Sequence, residues 1–135
     1  MHRNLVGVVL LAVVAGLAGC GGGQSGDAPQ SAGQRGYARN CMACHGENGA
    51  GRPPMQPAIA DSAVVSGDVR ALARWVMLGD RPLSLPQRPN SIPMPRFDWM
   101  KDAELAEILT YIRTTFGGNA SAVTAADIAA ARGAR

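Results

Sequence analysis

Five residues constrain this chain more than any others: Cys41-Met42-Ala43-Cys44-His45, a C-x-x-C-H segment. Two thiols three positions apart sit close together at the end of a helix, and the next residue sets an imidazole beside them. The chain has three cysteines, an odd number that closes no disulfide framework, so each needs its own explanation. A thioredoxin-type redox pair would lie in a βαβ pattern, and none is visible. A structural zinc site needs four ligands, whereas Cys41, Cys44 and His45 supply three; completion by a carboxylate is the weaker alternative.

The rest of the composition narrows the setting. At 135 residues there is room for one small domain. A net charge of +3, with the basic residues scattered, argues against a nucleic-acid binder. An apolar content of 47% is too high for a chain disordered throughout. The aromatics Tyr37, Trp75, Phe97, Trp99, Tyr111 and Phe116 place the packed core between positions 37 and 116. A domain of that size often needs a staple or a cofactor to be comfortably stable.

The amino terminus joins a short basic start to an apolar run from Leu5 to Leu17, then Leu17-Ala18-Gly19-Cys20. This reads as a secretory signal, too short to span a bilayer comfortably. Leu-Ala-Gly-Cys resembles the lipobox of bacterial lipoproteins. That resemblance implies cleavage after residues 1–19 and a lipid on the sulfur of Cys20, holding the chain to a membrane without a spanning helix. An ordinary signal with an unmodified cysteine, or an uncleaved anchor, is the alternative. Residues 20–31 then form a lipidated, flexible tether, whose Gly21–Ser31 stretch has a reach of about 20 Å. The expected location is exported, membrane-anchored and facing the periplasm.

In an exported chain the C-x-x-C-H segment reads as attachment of one covalent haem c, with Cys41 and Cys44 adding to its two vinyl groups and His45 under the iron. His2 leaves with the signal, so a second histidine ligand from the mature chain is excluded. Methionine opposite histidine raises the potential and suits electron transfer. Met42 lies inside the attachment loop, Met55 follows His45 by only ten residues, and Met77 falls in a helical pattern. Met94 stands in Ile92-Pro93-Met94-Pro95-Arg96-Phe97, where flanking prolines hold the backbone extended. It is the favoured sixth ligand; Met100, Lys101 or an open position are the alternatives.

The pattern predicts an all-α chain. Ser31 to Cys44 reads as a first helix ending at the attachment site. Residues 68–78 read as a second, with Ser66 or Asp68 as cap and Gly79 as stop. Residues 102–115 form the strongest helix: Leu105, Ile108, Leu109 and Ile112 share one face, and Gly117-Gly118 ends it. Arg81 to Pro95 holds five prolines and reads as a long functional loop that delivers Met94. Thr124-Ala-Ala-Asp127 resembles a capping box before a short helix, Ala125 to Arg132, which either docks or frays.

From about Gly33 to Arg132 the chain resembles a monohaem class I cytochrome c. It is similar to the small cytochromes and haem domains of membrane-associated bacterial alcohol and sugar dehydrogenase systems. The family places a glycine eight and an aromatic four residues before the first cysteine, where Gly33 and Tyr37 stand. It packs that helix across its last helix through an aliphatic residue and an aromatic, matched by Ile108 and Tyr111. It also uses a proline carbonyl to accept the ligand histidine's ring N–H; Pro57 has that offset, with Pro53 and Pro54 nearby. Met94-Pro95-x-Phe97 matches the family's end pattern, while Lys101 departs from its capping Ser or Thr. The resemblance implies a small cytochrome c fold over residues 32–118, with residues 119–135 as a carboxy-terminal extension.

The function implied is one-electron transfer through the haem edge. Electrons would come from a dehydrogenase or quinol-oxidising complex and pass to an oxidase or another cytochrome of the respiratory chain. The expectation includes no enzymatic activity of its own, no small-molecule substrate and no nucleic acid. Alternatives are a haem subunit of a membrane-bound dehydrogenase, a haem sensor or enzyme with an open sixth site, and a non-redox assembly factor. Arg52, Arg81, Arg88 and Arg96 are either a basic rim that steers an acidic partner or solvated loop residues.

Overall fold

A computed structural model of the chain describes residues 30–85 and 92–134. It contains the helices α1 (Ala32–Asn40), α2 (Met42–His45), α3 (Ala63–Ser66), α4 (Val69–Leu78), α5 (Asp102–Phe116) and α6 (Ala125–Gly133), and no strand among the described residues. Arg52 and Gln56 form an isolated antiparallel bridge. The lipobox, Cys20, most of the tether and Arg88 lie outside the described residues.

The first helix is not continuous, contrary to the reading of Ser31–Cys44 as one element. Cys41 leaves the helical region at φ −120° and divides α1 from α2. The hydrogen-bond ladder nevertheless crosses the break: Cys41 N–H donates to the Tyr37 carbonyl, and His45 N–H to that of Cys41, both at 2.9 Å. Ser31 caps α1 by accepting from Gln34 N–H at 3.1 Å, the bond that a serine N-cap supplies to an orphan amide.

α1 crosses α5 in the most extensive helix pairing among the described residues. Small residues allow it. A methyl on Gly33 would stand 2.1 Å from the Glu107 carbonyl oxygen, and one on Gly36 would stand 2.5 Å from Ile108 Cγ1. Tyr37, one turn past Gly33, packs its ring 5.5 Å from Tyr111 and 5.2 Å from Phe116. The α5 stripe of Leu105, Ile108, Leu109 and Ile112 is buried; removing each such side chain from water is worth about 1.5–3 kcal/mol.

α4 begins at Asp68, whose Oδ1 accepts from Ala71 N–H at 2.8 Å, and ends at Gly79 in the left-handed conformation at φ 81°. The glycine there takes a backbone that costs other residues energy. α5 begins at Lys101 with no side-chain cap, while Asp102 and Glu104 in its first turn complement the helix dipole. α6 is docked. Thr124 and Asp127 make a complete capping box, and Ile128 and Ala131 are wholly buried against the α4 and α5 side of the core. Arg113, buried in α5, ties that region together by donating to the carbonyls of Val65, Gly67 and Ser121.

Candidate functional site

One cavity of about 390 Å³ collects the residues that carry chemistry: Cys41, Cys44, His45, Pro57 and Met94 all line it. Its walls are mostly apolar side chains from α4, α5 and the loops, among them Leu72, Val76, Leu109, Ile112 and Phe97. Cavities of about 300–1,000 Å³ with apolar walls and a few convergent polar groups are the usual form of a cofactor site.

Cys41, between α1 and α2, and Cys44, within α2, are both partly exposed and form no disulfide. Burial and its Cys44 neighbour push the Cys41 thiol up to about 11, so it stays protonated near neutral pH. Among the described residues, no three His, Cys, Asp or Glu side chains are placed to hold a bare metal ion. The two thiols and the imidazole on one helical turn, facing an apolar cavity, suit a covalently held macrocycle.

His45 is set by its backbone neighbours. Gly51 N–H donates to its carbonyl at 2.8 Å, and the Tyr37 hydroxyl donates to the Gly46 carbonyl at 2.5 Å. Burial lowers the His45 pKa, and the Pro57 backbone, as an acceptor, works against that. Nδ1 is buried and makes no hydrogen bond among the described residues. Neutral imidazole, the form that burial favours, is the form that ligates a metal. Gly51, at φ 72°, is pressed against this turn: a methyl there would meet the Pro57 carbonyl oxygen at 2.6 Å. Pro53 and Pro54 are exposed, joined by a cis peptide, and do not line the cavity.

The methionines separate cleanly. Met94 lies in a stretch without regular secondary structure and lines the cavity, partly buried. Met77 and Met100 are buried in the hydrophobic core, and neither lines the cavity. Met55 is 40% exposed, and Lys101 is an exposed helix cap. The Met94 segment is tied to the rest of the chain at Ile92, whose N–H donates to the Met55 carbonyl at 3.2 Å. A second tie is at Phe97, whose N–H donates to the Val76 carbonyl at 3.1 Å.

Some site residues carried no distinct signal in the sequence. Trp75 lines the cavity, yet its helical spacing reads as core. Gly36, three residues after Gly33, shares the close approach to α5. The arginines do not form one set. Arg81 lines the cavity and donates to the Leu85 carbonyl at 3.0 Å. Arg96 pairs with Asp98 at 3.3 Å, both exposed, a contact of little energetic weight. Arg52 is exposed at the isolated bridge.

A family model described as cytochrome c matches residues 30–116. The chain is 34% identical over 101 residues to the cytochrome c subunit of a quinone alcohol dehydrogenase from Gluconobacter oxydans (strain 621H), a match covering 73% of this chain and 21% of that one. It is 32% identical over 100 residues to the cytochrome c subunit of a gluconate 2-dehydrogenase from Pantoea cypripedii, covering 71% of this chain and 23% of that one. The chain thus spans about a fifth of the length of these relatives. Its helical architecture and its thiol–imidazole turn on an apolar cavity agree with the match: the chain belongs to the cytochrome c family, an electron-transfer protein whose cofactor is covalently attached haem c.

Proposed function

We propose that this chain is a membrane-tethered, one-electron carrier in which Cys41 and Cys44 would hold the haem, His45 and Met94 would ligate its iron, and Pro57 would orient His45. The observation that carries the reading is that both thiols, the imidazole and Met94 line one apolar cavity. Cys41 and Cys44 would hold the group through two thioether bonds, each thiol adding to a vinyl group with no leaving group. When bound, the group supplies a reversible one-electron iron couple.

The chain's own residues do the rest. His45 presents a neutral nitrogen because burial disfavours its proton. Met94 offers a thioether, a neutral ligand that raises the potential. The apolar walls exclude water and disfavour the extra charge of the oxidised state, which pushes the potential the same way. Two protein ligands leave no site for a substrate, which favours a carrier over a sensor.

The electron donor in this reading is a dehydrogenase or a quinol-oxidising complex, and the acceptor an oxidase or another cytochrome. Work as a subunit of a dehydrogenase complex is the second reading. It is favoured by the similarity to the cytochrome c subunits of alcohol and gluconate dehydrogenases. A lipid on Cys20 would hold the domain at the periplasmic face of a membrane.

The test is spectroscopic. Holoprotein matured in a host competent for haem attachment is expected to show the weak far-red band of thioether-ligated ferric haem, and Met94→Ala to abolish it. A high-spin ferric wild type that binds carbon monoxide readily on reduction would overturn the ligand assignment.

A further inference from the structure

We propose that α6, which lies beyond the residues matched by the family, is a strap that holds the Met94 segment in place, with Arg132 as the positioning residue. The inference rests on Met94 being the sixth ligand. Arg132 Nη1 donates to the Asp98 carbonyl at 2.7 Å, and Nη2 to the Met100 carbonyl at 3.0 Å. Its Nε and Nη2 both reach Asp102 Oδ1, at 3.0 and 2.8 Å. One guanidinium thus grips the turn that follows Met94 and the first residue of α5 together. That junction needs an outside hold, because Lys101 gives α5 no side-chain cap.

The strap is fastened elsewhere as well. At its start, the Thr110 hydroxyl accepts from Val123 N–H at 2.9 Å and donates to the Val123 carbonyl at 3.1 Å. At its end, Arg74 of α4 donates to the carbonyls of Ala131 and Ala134 and pairs with Asp80. Between them, Ile128 and Ala131 are wholly buried. The grip of α6 is therefore rigid on the core side, and Arg132 transmits it to residues 98–102. A planar guanidinium making several charge-assisted bonds sets geometry as well as energy.

The reading predicts what happens when the grip is lost. Met94 must leave the iron before an added ligand can enter, so the apparent affinity for that ligand scales with the fraction in which the segment is open. Arg132→Ala in the full-length holoprotein is expected to raise the affinity of the ferric form for cyanide about tenfold, the effect of losing a hydrogen-bonded charge that is partly exposed. Its far-red band should also be lost at lower imidazole concentration than in wild type. Arg132→Lys, which keeps the charge and part of the bonding, should recover part of both effects. Ala38→Gly in α1, at comparable loss of stability, should leave both unchanged. The proposal is overturned if Arg132→Ala binds cyanide like wild type, or if Ala38→Gly loosens the ligand as much. A wild type without the far-red band, indistinguishable from Met94→Ala, would remove the ligand reading first and the strap with it.

Discussion

The two walls of the cavity are built in different ways. The histidine wall is local: α2, the Gly46–Gly51 turn and the stretch to Ile59 are knit by bonds such as Gly51 N–H to His45 carbonyl and Ile59 N–H to Gly49 carbonyl, both 2.8 Å. The methionine wall is a short irregular run whose ties come from far along the chain, from Met55, Val76 and Arg132. A locally closed wall keeps its ligand as long as its own turn is folded. A wall held from outside would, in the proposed reading of Met94, release its ligand while the domain stays folded. That asymmetry suits a protein that must first receive its cofactor and then tune it.

Replacing Cys41 or Cys44 by alanine tests the first wall most severely. Loss of one attachment should leave a strongly reduced yield of coloured protein, and loss of both should leave none, read by the added mass of the macrocycle on the intact chain. Met94→Ala should contrast with this. It should retain full covalent loading while lowering the reduction potential, measured by equilibrium redox titration. If Met94→Ala instead lost haem as readily as Cys44→Ala, the two walls would not be independent.

Gly33→Ala probes the packing beneath the histidine wall. Alanine gains about 0.5–1 kcal/mol over glycine within a helix. Here its methyl would lie 2.1 Å from the Glu107 carbonyl oxygen, so α1 must move off α5. Overpacking costs about 1–3 kcal/mol, which outweighs the gain. The expected result is a lower denaturation midpoint with the far-red band intact. A stabilised variant would mean that the crossing has slack.

The same contrast explains what could be read from the sequence. The attachment turn, the stripe of α5 and the caps at Asp68, Gly79 and Thr124 are local patterns, each decided by residues within a few positions of one another. The sequence did not show the break at Cys41, because α1 and α2 share one run of helix-compatible residues and the ladder bridges the break. It did not show α3, a single turn with no periodicity. Whether α6 docks is not decided by the sequence, because the tail is apolar only through alanine, Val123 and Ile128. What holds it are Arg74 and Arg132, whose partners are thirty or more residues away. Arginine in sequence reads as surface charge, and only the fold shows which carbonyls it meets.

The smallest effect expected comes from the Tyr37 hydroxyl, and it isolates one bond of the histidine wall. Tyr37→Phe keeps the ring packing and loses the bond to the Gly46 carbonyl, a cost of about 1 kcal/mol. Its pH dependence carries a sign. In the bare polypeptide, burial, with Cys41 and Tyr111 adding to it, pushes the Tyr37 phenol from 10.0 up to about 12; with Cys41 as a thioether, burial and Tyr111 still raise it. The folded chain therefore keeps a proton that the unfolded chain gives up between those values. Stability from this group is fully present below pH 10 and falls as pH rises through about 12. Cys41 would add a similar fall in the bare polypeptide, since its thiol is raised to about 11. As a thioether it has no proton to lose, so in the holoprotein that part disappears. Unfolding followed by denaturant between pH 8 and pH 11.5 should show wild-type holoprotein losing stability more steeply than Tyr37→Phe. Parallel curves would place the hydroxyl outside the fold's alkaline limit and leave the histidine wall held by its backbone alone.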